Sequence, residues 1–127
     1  MPSIYDHVTL GVSDLKAARR FYDAVMAPLG LPLLWENPTM LTYGAGDEDF
    51  GLQLDTGQAR HGTHVAFRAP DRASVDRFHA SALNAGGTDD GAPGLRPAYA
   101  ATYYAAFVRD PDGNRIEAVC HEAKADA

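Results

Sequence analysis

The sequence predicts an α+β fold: two tandem βαβββ modules forming a cup-shaped, partly closed mixed sheet with helices outside. Three observations predict it. Tyr5–Tyr22 (YDHVTLGVSDLKAARRFY) lies without a gap over Gly62–His79 (GTHVAFRAPDRASVDRFH) at an offset of 57 (64 − 7), so that His7/His64, Val8/Val65, Asp14/Asp71, Arg20/Arg77 and Phe21/Phe78 coincide. Each copy opens on a segment of period two and passes into one of helical period. Short β-type segments broken by turn chemistry then complete each copy.

Taken in order, Ile4–Val12 alternates, with Val8, Leu10 and Val12 on one face and Tyr5, His7, Thr9 and Gly11 on the other. Ser13 reads as a helix N-cap with Asp14 in the first turn. Leu15, Ala18, Phe21/Tyr22, Val25/Met26 and Leu29 form one apolar helical stripe, which Pro28 and Gly30 end. Strands follow at about Pro32–Glu36, Met40–Gly44 and Phe50–Asp55, separated by Asn37-Pro38 and by Gly44–Asp49 (GAGDED). The second copy gives a strand over Thr63–Ala69 and a helix over Asp71–Ala85 with Val75, Phe78 and Ala82 inward, ended by Gly86-Gly87. Thr88–Pro97 reads as a loop around a weak strand. Tyr103–Arg109 and Arg115–Cys120 are strands joined by the turn Asp110-Pro111-Asp112-Gly113. One domain is expected over residues 1–127, with module one about 1–58, module two about 59–122, and a frayed tail over 123–127.

Seventeen acidic against 11 basic side chains give a net charge of −6. That balance argues against a nucleic-acid partner, which demands a basic face. The single Cys120 can form neither an internal disulfide nor a thiolate metal cluster. No apolar run approaches the roughly 20 residues of a membrane span, and Ile4 enters strand pattern with no signal-like segment before it. A cytoplasmic location without a membrane partner is expected.

The chemistry concentrates on the non-apolar strand faces. His7, Gln53, His64 and Glu117 each share a face with small residues (Thr9, Gly11, Gly51, Ala66), which leaves room for a ligand. Gln53 and Glu117 are paired at an offset of 64 (117 − 53), which puts about seven extra residues inside the second copy, with Thr88–Pro97 the natural place for them. Two imidazoles and a carboxylate form a facial triad for a divalent ion, and Gln53 is a fourth weak oxygen ligand or a hydrogen-bond partner.

Through these residues the chain resembles the vicinal oxygen chelate superfamily, the glyoxalase/bleomycin resistance/dioxygenase proteins. The resemblance runs from DHVTLGVSDL near the start to DPDGNRIEAV near the end. It implies a cup around one divalent metal ion (Fe, Mn, Ni and Zn are not distinguished) held by His7, His64, Glu117 and Gln53. It also implies a small oxygen-bearing substrate chelated through vicinal oxygens. Glyoxalase-like lyase/isomerase chemistry is the leading expectation, with Glu117 and Gln53 as catalytic residues. Such isomerases carry glutamate where Gln53 stands, so Glu117 would serve as both ligand and base. An extradiol-type dioxygenase is the alternative, since it needs only the triad; a non-catalytic bleomycin-type binding protein is the other. A fosfomycin-type thiol transferase shares the triad and Thr9 but needs a basic cluster, for which Arg68, Arg96 and Lys124 stand in the chain.

Of Tyr103 and Tyr104, which alternate, one faces the cup; Tyr104 is taken as the candidate proton donor. Trp35, Met40 and Tyr43 are candidates for the apolar wall, and His61, His79 and His121 are read as surface residues. A homodimer is expected, because each four-stranded half has an edge for a neighbour. The cup forms within one chain or between two, and the sequence leaves both open.

Overall fold

The computed structural model describes residues 6–45, 49–55 and 63–123. Ile4-Tyr5, residues 46–48 of the GAGDED turn, His61, Gly62 and the tail from Lys124 lie outside the described residues. The element order is β1 (His7–Val12), α1 (Leu15–Met26), β2 (Leu33–Asn37), β3 (Met40–Gly44), β4 (Asp49–Leu54), β5 (His64–Arg68), α2 (Arg72–Asn84), β6 (Thr88–Leu95), β7 (Tyr104–Arg109) and β8 (Arg115–Cys120). They build two four-stranded mixed sheets in the orders β1-β4-β3-β2 and β5-β8-β7-β6. In each sheet the first strand pairs in parallel with the last, and the other pairs are antiparallel. The expected α+β arrangement of paired βαβββ modules is therefore what the chain adopts.

Each helix covers the apolar face of its own sheet, and the two helices also pack on each other. One core runs through both modules. It takes Ala18, Phe21, Tyr22 and Val25 from α1, Val75, Phe78 and Ala82 from α2, and Leu10, Val12, Leu52, Ile116 and Ala118 from the strands. The Phe50 and Phe67 rings meet edge-on at 4.9 Å across the modules. The apolar stripes read from the sequence are buried because each is wide enough to exclude water where helix meets sheet.

Local chemistry departs from expectation at one helix cap and sharpens it at two other places. The N-cap of α1 is Asp14 rather than Ser13: its carboxylate accepts from the Lys16 and Ala17 amides, while Ser13 N–H donates to Asp112 Oδ1 at 2.8 Å. The weak strand expected within Thr88–Pro97 spans Thr88–Leu95 and is bulged. Gly30 and Gly87, aligned at offset 57, are glycines for different reasons. Gly30 takes φ +76° with open space around it, whereas a Cβ on Gly87 would stand 2.4 Å from the Phe21 ring and 2.8 Å from Ala82 O.

Asp71 caps α2 by accepting from Ser74 N–H at 2.7 Å, and its hydrogen bonds to Ser74 hold its carboxyl below the usual carboxylate range. A depressed folded-state pKa contributes stability above the unfolded-chain value and loses it as pH falls through the folded one. Asp71→Asn keeps a cap acceptor without the charge. The acid limb of stability against pH is expected to become shallower in that variant, read from urea midpoints between pH 6 and pH 3. An unchanged limb would show that the cap charge is idle.

The modules are joined by the turn after β7. Asp110 is 3% exposed and accepts from Tyr22 O–H at 2.7 Å, Asp112 N–H at 2.9 Å, and Asn114 N–H and Nδ2–H at 2.8 and 2.9 Å. Asn114 in turn donates to Gly11 O at 3.1 Å and accepts from Thr63 O–H at 2.8 Å. A segment legible only as a hairpin turn is thus a clamp that fixes the β1 end of one module against the second. Burial, the neighbouring Asp110 charge and that hydrogen bond all push the Tyr22 phenol well up, so it stays a donor.

Candidate metal and substrate site

The strand faces turned away from the helices carry the candidate residues. In the first sheet β1 sets His7, Thr9 and Gly11 beside Asp49, Gly51 and Gln53 of β4, and Thr42 of β3 lies beyond Gly51. In the second, β5 sets His64, Ala66 and Arg68 beside Arg115, Glu117 and Val119 of β8, with Phe107 of β7 opposite Glu117. Thr9 and Ala66 are equivalent at offset 57, so the residue equivalent to Glu117 is Gly51, at an offset of 66 (117 − 51), rather than Gln53.

Gln53 therefore stands one pleat repeat further along, opposite Gly11, and is exposed. The pairing at offset 64 is corrected accordingly. The second copy holds nine extra residues (66 − 57), accommodated in the bulges of β6 and the long β6–β7 connection. Gly51 is tightly enclosed: a Cβ there would meet Met40 Cε at 2.9 Å and Thr9 Oγ1 at 3.1 Å. Beside it Thr42 Oγ1 is buried without a hydrogen-bond partner.

His64 and Glu117 come together. His64 Nε2 lies 2.9 Å from Glu117 Oε1, and Tyr103 O–H donates a short hydrogen bond to Glu117 Oε2. Glu117 is 2% exposed. A carboxylate so buried is costly unless both oxygens are engaged, and here both are. Burial first, then the bond to Glu117, push the Tyr103 phenol up to about 12, so at neutral pH it is a standing donor. The His64 ring packs against Phe107 at 6.0 Å.

Tyr104, the expected proton donor, faces the other way. Its O–H donates to Asp76 of α2 at 2.6 Å and its ring lies under Arg72. Tyr103 reaches Glu117 instead. The turn centred on Asp112 pairs odd-numbered residues with odd-numbered ones, so counting from the hairpin would have selected it.

His7 stands apart from this pair. Its ring is mostly exposed, and Nδ1 lies 2.8 Å from Asp6 Oδ1. A carboxylate only accepts, so Nδ1 carries the proton and Nε2 presents its lone pair, the arrangement that orients metal-binding imidazoles. Among the described residues no three His, Cys, Asp or Glu side chains gather around one point. The donors nonetheless fit a divalent ion chemically, as two half-sites: an imidazole–carboxylate pair on the second sheet and an oriented imidazole on the first. A shallow depression lined by Leu29, Arg68, Pro70 and His121 holds none of these donors. His79 is tied to Asp89 at 2.8 Å, Tyr43 is buried core, and Trp35 is exposed on β2.

Two βαβββ modules, each opening on a histidine-bearing strand, with a buried glutamate on the last strand of the second, define the class of the protein. The chain belongs to the Glyoxalase/Bleomycin resistance protein/Dioxygenase superfamily, whose sequence model matches residues 4–118. No curated protein matches it. Among solved structures it is similar to a glyoxalase/bleomycin resistance protein from Albidiferax ferrireducens T118, with 36% identity, TM-score 0.85, and 93% of this chain and 99% of that one covered. It shares its fold with a lactoylglutathione lyase from Agrobacterium tumefaciens (23% identity, TM-score 0.68, 94% of each chain covered). The same holds for the fosfomycin resistance protein FosX from Mesorhizobium loti (20% identity, TM-score 0.68, 94% and 93% covered). Among the described residues no helix is long and apolar enough to cross a membrane.

Proposed function

We propose that this protein is a divalent-metal-dependent enzyme acting on a small substrate that chelates through adjacent oxygens. In this reading its centre is completed between two copies of the chain, His7 of one joining His64 and Glu117 of the other. The observation that carries the reading is the buried Glu117, engaged by His64 and Tyr103 on a face whose counterpart strand presents a second oriented imidazole. The exposed Leu34 and Trp35 on edge strand β2 and Leu95 on edge strand β6 support a homodimer.

A bound divalent ion would polarise the substrate oxygens and stabilise charge developing on them. Glu117 is the base, the one buried glutamate on that face among the described residues. Tyr103 holds Oε2 and keeps the carboxylate oriented. Holding an ion through Nε2 would put the His64 proton on Nδ1, and because such ligands must be free of competing protons, ion uptake would weaken as pH falls. Glyoxalase-like lyase/isomerase chemistry is compatible with Glu117 alone as base. Gly51 favours a second reading, an extradiol-type dioxygenase, since the position opposite Glu117 in the other module brings no side-chain donor and that chemistry needs only two imidazoles and one carboxylate; in the first reading Gln53, one repeat further along, would be the fourth, weak oxygen ligand.

Elemental analysis is expected to find about one divalent ion per chain, lost in His7→Ala and in His64→Ala. Mixing the two single variants from unfolded chains should restore about a quarter of the sites, because half of randomly paired dimers are mixed and each holds one intact centre. Undiminished ion content in either variant overturns the metal assignment. Full loss in both with no recovery on mixing overturns the shared site.

A further inference from the structure

Building on the proposed site, we infer that the first module holds a second recognition point for the substrate. The Thr42 hydroxyl, behind Met40, binds an uncharged oxygen group, an alcohol or a carbonyl, on the part of the molecule that lies over the first sheet.

Thr42 is 3% exposed, and its Oγ1 is buried with no hydrogen-bond partner. Leu41 and Tyr43 on either side of it belong to the core under the helices. The alternation of β3 therefore turns Thr42 to the opposite face, the one that carries His7. Buried hydroxyls are nearly always paired, because an unpaired one gives up its bonds to water for nothing. On a face open to ligand, such a hydroxyl is one donor and one acceptor in reserve.

Thr9, Gly51 and Thr42 are register partners in one row across β1, β4 and β3. Two strand spacings, about 10 Å, separate the strand of Thr42 from that of His7, a span suited to a small molecule. A side chain closes the row, not backbone: Met40 Cε lies 2.9 Å from where a Cβ on Gly51 would stand. Met40 is half-buried, and its unbranched thioether has rotamers to spare. With that methyl turned away, glycine at 51 leaves a flat floor in front of Thr42. The strands of the first sheet contain no lysine or arginine, and Asp49 precedes Gly51 on the same face. The row thus suits a neutral oxygen over an anionic one.

The probes are cyclohexanol and 2-piperidone, with cyclohexanecarboxylate as the charged counterpart, titrated into the chelator-treated protein. Trp35, the register partner of Thr42 and the chain's single tryptophan, reports binding by its fluorescence. At least one neutral probe is expected to give a saturable change, and the carboxylate none. Thr42→Val should weaken that binding about fivefold or more, Thr42→Ser should restore most of it, and Met40→Ala should strengthen it. Without probe, Thr42→Val should hold or raise the urea midpoint, since no hydrogen bond is lost. A lowered midpoint would show that the hydroxyl already has a partner, and overturns the inference. So does the absence of a saturable change with both neutral probes, binding that Thr42→Val leaves intact, or equal binding of the carboxylate. Ion content is read on the same samples. An ion-free parent whose probe binding still depends on Thr42 overturns the metal reading and supports this subsite.

Discussion

Glu117→Gln is expected to reduce divalent-ion affinity beyond the roughly 10–100-fold that follows loss of an outer-shell partner. The amide keeps the shape of the side chain but not its charge, and ion binding at an imidazole–carboxylate pair depends on that charge. Tyr103→Phe, which removes only the hydrogen bond to Oε2, should fall within the 10–100-fold range, and Tyr104→Phe should leave affinity unchanged because its hydroxyl is spent on Asp76. Competition titration against a metal-sensitive dye distinguishes the three. Ion-free Glu117→Gln should stay folded, with a parent-like circular dichroism spectrum, because the amide keeps the shape of the side chain and one acceptor oxygen. Parent-like ion affinity in this variant would remove Glu117 from the centre.

Asp110→Ala should lower the free energy of unfolding by about 3 kcal/mol or more, since each buried donor left without its acceptor costs about 1–3 kcal/mol. Four donors converge on this carboxylate, one of them the Tyr22 hydroxyl from the other module. Its removal strands them and loosens Asn114 from Gly11 and Thr63. Asp110→Asn, which retains one acceptor oxygen, should lie between. The measurement is the denaturant midpoint at constant slope; a loss below about 1 kcal/mol would mean that the turn does not join the modules.

What could be seen in advance was whatever follows from period and parity. The 57-residue offset located both helices, the outward histidine strands and the core stripes, because burial imposes those periods directly. Parity could not separate Gln53 from Gly51. The two lie on the same face, and an insertion of seven or nine residues preserves it equally, so only strand register decides. Tyr103 and Tyr104 are adjacent strand residues, and only the register set by the hairpin puts Tyr103 on the Glu117 face and Tyr104 towards Asp76; Ser13 and Asp14 both cap well and sit side by side. The Asp110 clamp was invisible because its partners, Tyr22, Gly11 and Thr63, are far away in sequence and nothing local announces them.

The crowding at Gly51 shapes how this scaffold can change its chemistry. A first side-chain carbon there meets Met40 Cε at 2.9 Å and Thr9 Oγ1 at 3.1 Å, the free end of one side chain and the hydroxyl of another. A graft at 51 thus asks Met40 to swing aside rather than to be replaced, which an unbranched thioether does at small cost. The position is open to single-site variation, and trimming Met40 in the same library would ease the fit further.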